Sequence, residues 1–320
     1  MVKGFRQNAT CSCGSGRKYY ECCLPSEPDA YARVTRYLED YELQAKTARV
    51  KQCIHPDKSQ CSDKIRRCHA IQNNRILTKL AVDGRVITLD NHSAYIFQAA
   101  DLKGRRVATT FTGFCSYHDK ILFQDIEDKP FRATPRQSFL YSYRTLAWHH
   151  HKKLEQINHI LLQRKLAEKH SLPGVAEPKN PFDQAMLAFK VGRLENERRL
   201  SLFNECLIKE NYGELSSYIW EIPYELQIAV CAMLEIEYDI DGERINDLMS
   251  SEPLKSVYLN IFPGDGVSYC LWSWHEKDTV YESFTKGFSR LRTEDKANYL
   301  NNNLPKWTDA IVISPWLWDR

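Results

Sequence analysis

The chain has no run of 18 or more apolar residues, so no helix is expected to cross a membrane. Its first residues, MVKGFRQNATCSCG, lack an apolar core of the kind a secretory signal carries, and a cytoplasmic protein is expected. Internal repeats and low-complexity tracts are also missing, which sets aside repeat arrays. A glycine-rich phosphate loop is wanting as well. Gly264-Asp265-Gly266 has no helix start behind it and reads as a turn between strands.

What is present is an ordinary soluble composition with many cysteines. Apolar residues make up 43% of the 320 and charged residues 27%, enough for a sizeable core in two or three units. In a reducing compartment, 11 cysteines point to metal before disulfides. Eight of them fall in the first 115 residues, whereas Cys206, Cys231 and Cys270 stand alone in apolar stretches, as core thiols do. Charge is divided unevenly. Residues 1–170 carry 29 Lys and Arg against 17 Asp and Glu, a net of +12; residues 171–320 carry 15 against 24, a net of −9. A basic half can track phosphates and an acidic half is repelled by them, the competing reading being two solvated surfaces.

Four regions are expected, of α+β class overall: a zinc finger over 1–25, a zinc-organised domain with a leading helix over 26–137, a helical hairpin over 138–213 and an acidic α+β domain over 214–320. Ser26 caps a helix over 26–50 with Tyr31, Val34, Leu38 and Tyr41 on its apolar face. Short strands are expected at Arg85–Leu89, Ala94–Ala99 and Arg106–Phe111. Long helices follow from about Ser138 to Lys169 and Asp183 to Lys209, broken by the prolines and glycine of Ser171–Pro181. The first carries Leu140, Tyr143, Leu146, Ala147, Ile157, Ile160 and Leu161 on one face. Strands at Glu225–Ile240, Ser256–Phe262, Val267–Trp274 and Ala310–Ser314 surround helices at Val280–Leu291 and Thr293–Asn301.

The densest cluster is Cys11-Ser-Cys13-Gly-Ser-Gly-Arg-Lys18-Tyr19-Tyr-Glu-Cys22-Cys23. Four thiolates close a tetrahedron around Zn²⁺, and the glycines let the chain turn back between ligand pairs. So short a piece has no apolar core, so metal must supply its folding energy. The segment resembles the SEC-C motif of the bacterial preprotein translocase ATPase. That resemblance implies a structural zinc finger for contacts with partner proteins or ribosomes.

A second set is Cys53-Ile-His55-Pro-x4-Cys61, then Cys68-His69, then Cys115-Ser-Tyr-His118-Asp119. Cys53, Cys61, Cys115 and His118 form a Cys₃His set, with the late pair at a helix start as in a treble-clef finger. This resembles HNH (ββα-metal) endonucleases that carry a structural zinc. The resemblance implies that His69 is the general base, that Asp119 binds a catalytic Mg²⁺ or Mn²⁺, and that Asn73 or Asn74 orients the His. It also departs from the family. Cys68 stands where a carboxylate often precedes the His, the Cys53–Cys61 spacing is x7, and the stretch from His69 to Cys115 is long. One of Asp125, Glu127 and Asp128 could complete the metal site, against a solvated acidic turn.

His149, His150 and His151 are consecutive on a helix and point in different directions, a poor ligand set. Trp272, Trp274, Trp307, Trp316 and Trp318 suit a core or an interface. The expected function is metal-dependent cleavage of nucleic acid, as a bacterial defence or toxin effector on the family analogy alone. Arg66, Arg67, Arg75, Arg105 and Arg106 would lie near the phosphates. Two structural zincs are expected, with Mg²⁺ or Mn²⁺ if the site is catalytic. Protein partners are expected through the first finger or the acidic domain. The alternative is a non-catalytic zinc adaptor that binds nucleic acid or protein.

Overall fold

The computed structural model describes residues 15–17, 28–89, 100–175, 180–250, 252–308 and 310–318. The strand expected at Ala94–Ala99 lies outside them. The fold is α+β. Its main helices, apart from single turns such as Asn73–Leu77 and Thr78–Leu80, are α1 (Pro28–Gln44), α2 (Ser116–Glu127), α3 (Pro135–Lys169), α4 (Pro181–Ile208), α5 (Val280–Arg290), α6 (Thr293–Trp307) and the short α7 (Pro315–Trp318). Its strands are β1 (Ile65–His69), β2 (Arg85–Thr88), β3 (Asp101–Gly104), β4 (Thr110–Cys115), β5 (Leu215–Ile222), β6 (Ile228–Leu234), β7 (Val257–Pro263), β8 (Ser268–His275) and β9 (Ile311–Ile313). Among the described residues no helix is long and apolar enough to cross a membrane.

The chain divides into two units, one of residues 1–49 with 153–192 and one of residues 50–152 with 193–320. In the smaller unit, the Tyr41 hydroxyl of α1 lies 3.0 Å from His159 Nδ1 of α3. Asp40 pairs with Lys169 at 2.6 Å and His170 at 2.7 Å, contacts that hold its carboxyl below the usual range. Arg164 pairs with Asp183 of α4 at 2.6 Å. Periodicity overstates the apolar burial here, because Val34 and Leu161 are exposed.

The larger unit is built on a seven-stranded antiparallel sheet in the order β3-β2-β9-β6-β7-β8-β5. It takes strands from residues 85–104 and from residues 215–313, on both sides of α3 and α4 in sequence. Pairing of Ile87 with Ile313 joins the two groups. Alternate residues of the central strands enter two cores. Val257, Leu259 and Ile261 of β7 pack with Trp272, Tyr281, Phe284 and Phe288, while Tyr258 and Phe262 pack with Phe139, Tyr143 and Phe203 from α3 and α4. Both faces are covered, which is why these strands read as nearly continuous apolar runs. Cys206, Cys231 and Cys270 are buried free thiols.

Trp272 is fully buried against Phe284, Phe288 and Trp307. Trp272→Ala should therefore destabilise the larger unit by about 3–5 kcal/mol, read as a lower midpoint in urea unfolding followed by near-UV circular dichroism. An unchanged midpoint would contradict this core.

Candidate metal centre

A separate two-stranded ribbon builds the site. β1 pairs with β4 antiparallel, matching Ile65 with Cys115 and His69 with Thr110. The register slips between Arg66 and Cys68, at a bulge that includes Gly113 of β4. A Cβ on Gly113 would lie 2.4 Å from the Phe111 ring, so only glycine fits at this bend. The loop before β1 docks on the same strand, its Gln52 and Ile54 amides donating to the Thr112 and Gly113 carbonyls at 3.1 and 2.8 Å. That docking brings Cys53 to the end of β4, and the loop returns Cys61 to the same place. β4 ends in Cys115, which caps α2 by accepting the His118 amide on its sulfur. Loop, ribbon and helix start thus deliver two ligand pairs to one point.

The four ligand atoms lie within 4.8 Å of one another. His118 Nδ1 faces the sulfurs of Cys53, Cys61 and Cys115 at 3.4, 3.6 and 3.2 Å. A tetrahedral zinc with Zn–S near 2.3 Å and Zn–N near 2.0 Å sets each sulfur about 3.5 Å from the nitrogen. The observed distances bracket that value, so this Cys₃His cluster fits zinc.

The electrostatics agree. Burial, the Cys53 thiol and the charges of Cys53 and Cys115 push the Cys61 thiol up to about 11. Burial also opposes ionisation of Cys115, but the His118 amide and both donors of Ser62 bring it down to about 6. Three thiols this close resist ionising together unless a cation lies between them. His118 is fully buried, and its Nε2 has no hydrogen-bond partner among the described residues. The His55 ring holds it instead by stacking, with centroids 3.8 Å apart and planes 11° apart. His55 lies outside the four-ligand cluster, and its Nδ1 accepts the Asp57 amide at 3.2 Å. Burial and the nearby His118 bring His55 down to about 4, which keeps it neutral.

His69 ends β1, and its Nε2 lies 3.3 Å from the Arg105 carbonyl. Burial lowers its pKa most, with the Arg105 carbonyl and Glu127 opposing. Asp119 follows His118 on α2. Burial raises its pKa against the pull of Arg144, with the Glu127 charge raising it further and a Cys68 hydrogen bond lowering it. Cys68 is itself buried and pushed up to about 12, mainly by burial. Asn73 does not bond His69. Its Oδ1 accepts from Arg105 at 2.8 Å, and its amide donates to Asn74. Asn73 therefore reaches His69 only through Arg105. Asp125 pairs with Lys129 and Arg136, whereas Glu127 pairs with Arg144 at 2.7 Å.

Sequence reasoning missed Arg144. Its guanidinium is buried, lies 4.1 Å over the Phe123 ring and leaves Nε and Nη1 unpartnered. The one sequence signal was an arginine inside the otherwise apolar and small-residue stretch from Phe139 to Trp148. His149 and His151 serve packing and hydrogen bonding: His149 Nε2 accepts the Met233 amide at 3.0 Å, and His151 Nε2 lies 2.9 Å from the Val50 carbonyl. Cys11, Cys13, Cys22 and Cys23 lie outside the described residues. Between them, Ser15, Gly16 and Arg17 form an exposed bend with Gly16 at φ 71°. No protein-family model, curated protein or solved structure matches this chain.

Cys115→Ser should remove one zinc equivalent per chain, measured by elemental analysis of protein purified without added metal. The same variant should loosen the loop at residues 53–61, read as faster amide exchange there. Unchanged zinc content would rule out this centre.

Proposed function

We propose that this chain cleaves phosphodiester bonds in nucleic acid, using an HNH-like treble clef over residues 53–128 whose zinc is structural. The N-terminal cysteines would form a SEC-C-like finger with a second zinc and contact a partner protein. The observation that carries the reading is local: His69 ends the strand paired to β4, and Asp119 directly follows the last ligand of the Cys₃His cluster. Both feel the same ion pair, the buried Arg144 and the half-buried Glu127.

The geometry suits His69 to act as base. A carbonyl only accepts, so the bond to Arg105 O places the ring hydrogen on Nε2. Nδ1 then keeps its lone pair and can take a proton from water. Burial favours the neutral ring, the form a base needs. Asn73 steadies Arg105 and so helps aim the imidazole. Asp119 would hold a divalent ion, which when bound supplies positive charge to the phosphate and leaving oxygen. Arg144 has two unpartnered nitrogens, Nε and Nη1, with N–H donors for a phosphate oxygen.

The second reading is a zinc adaptor that binds nucleic acid or protein without cleaving it. It draws on Cys68, a buried thiol where a second carboxylate would serve a hard metal ion better.

His69→Ala should abolish Mg²⁺- or Mn²⁺-dependent cleavage, a loss of at least about 10²-fold, with zinc content unchanged. Asp119→Ala should lose activity and recover part of it at higher metal concentration. Because burial lowers the His69 pKa, the base form persists below the ordinary histidine value of about 6.5. The acid limb of the pH–rate profile should accordingly lie below that pH. Loss of zinc in His69→Ala would make it a structural ligand, and no cleavage of DNA or RNA with any divalent ion would leave the adaptor reading.

A further inference from the structure

The turn after β1, the loop after α2 and the β7–β8 turn enclose a cavity of about 230 Å³ within the larger unit. This is slightly below the roughly 300–1,000 Å³ typical of pockets for drug-sized ligands. It suits one nucleotide-sized unit better than an extended cofactor.

Three properties of the wall converge. Cations outnumber anions: Arg75, Lys79, Lys129 and Arg132 line the cavity against Asp265 alone. Arg75 and Lys79 share that carboxylate at 2.9 and 3.3 Å, and Asp265 is 65% exposed. Lys79 also pairs with Glu225, and Lys129 pairs with Asp125. The exposed Arg132 makes no ion pair among the described residues. The wall is also aromatic, with Phe131 and Tyr269 meeting edge to face at 4.8 Å.

The third property is an orphaned acceptor. Gln72 lines the cavity and is 1% exposed. Its Nε2 donates to the carbonyls of Ile126 and Glu127, which uses both amide hydrogens. Its Oε1 is buried and has no partner among the described residues. Buried amide oxygens are normally satisfied, so this one awaits a donor. A phosphate alone would answer the cations, and a plain ring would answer the aromatics. A ring that bears its own N–H, in the ring or on an exocyclic amino group, also answers Gln72, and every nucleobase bears one.

We propose that this cavity binds a nucleotide unit, with its base against Phe131 and Tyr269, a base N–H donated to Gln72 Oε1, and its phosphate held by Arg75 and Arg132. The chemistry is the same for a free nucleotide and for one nucleotide of a bound strand. The proposal goes beyond the cleavage reading and does not require it.

The test is isothermal titration of the zinc-loaded full chain with the four nucleoside 5′-monophosphates, ribose 5-phosphate, phosphotyrosine and single strands of about ten nucleotides. A monophosphate or a strand should bind at least about tenfold more tightly than ribose 5-phosphate. Arg132→Glu and Tyr269→Leu should each weaken that binding about tenfold, with zinc content and melting midpoint held. Micromolar binding of a monophosphate identifies the ligand as a free nucleotide. A strand that outbinds every monophosphate, and loses its advantage in Arg132→Glu, identifies it as part of a nucleic acid. Ribose 5-phosphate or phosphotyrosine binding as tightly, both variants binding as wild type, or no binding at millimolar concentration would overturn the proposal. His69→Ala should bind nucleotide as wild type does, so a chain that binds but does not cleave counts only against the cleavage reading.

Discussion

Three thiols and one imidazole within 4.8 Å of one another repel in their ligand forms, and a cation between them reverses that repulsion. The loop from Cys53 to Cys61 would hang on that reversal. The Cys53–Cys61 loop has few buried apolar groups, with Ile54 its main contribution to the core. Metal would tie this loop to the end of β4 and the first turn of α2. In doing so it would fix the ribbon that ends in His69 and the helix that starts beside Asp119. A structural ion held there would thereby set the placement of residues that do not touch it.

The second constraint is a buried charge. Arg144 comes from α3, outside the ribbon and helix, and is compensated by one carboxylate and one aromatic face. Removing Glu127 would leave the buried Arg144 uncompensated, at a cost below the roughly 3–5 kcal/mol of a fully buried pair because Glu127 is 31% exposed. The pair with Glu127 therefore fastens α2 to α3 as well as shaping the field at His69 and Asp119. Two guanidinium nitrogens left open in such a place are unfavourable for stability alone and favourable for meeting an anion.

The Cys₃His set was legible in the sequence because ligand chemistry is local and Cys and His are rare. Spacing alone placed one pair in a loop and the other at a helix start. The α+β class and the long helices were legible from periodicity. Other features were not. The strand expected at Arg106–Phe111 starts only at Thr110, because Val107 and Ala108 turn back onto the Gly104 carbonyl and Thr109 sits at φ 55°. β2 pairs with β9 from the far end of the chain, a partner no local pattern can name. Asn73 was expected beside His69, but the structure interposes Arg105. Arg144 and the Gln72 acceptor owe their character to burial by distant elements, so beyond the apolar setting of Arg144 the sequence carried no sign of them.

The most direct test of the account is the zinc coordination shell in a chain carrying Cys11→Ser and Cys13→Ser, which isolates the second site. X-ray absorption at the zinc edge should show three sulfurs at about 2.3 Å and one nitrogen at about 2.0 Å. A shell of oxygen and nitrogen alone, or no bound zinc, would contradict it.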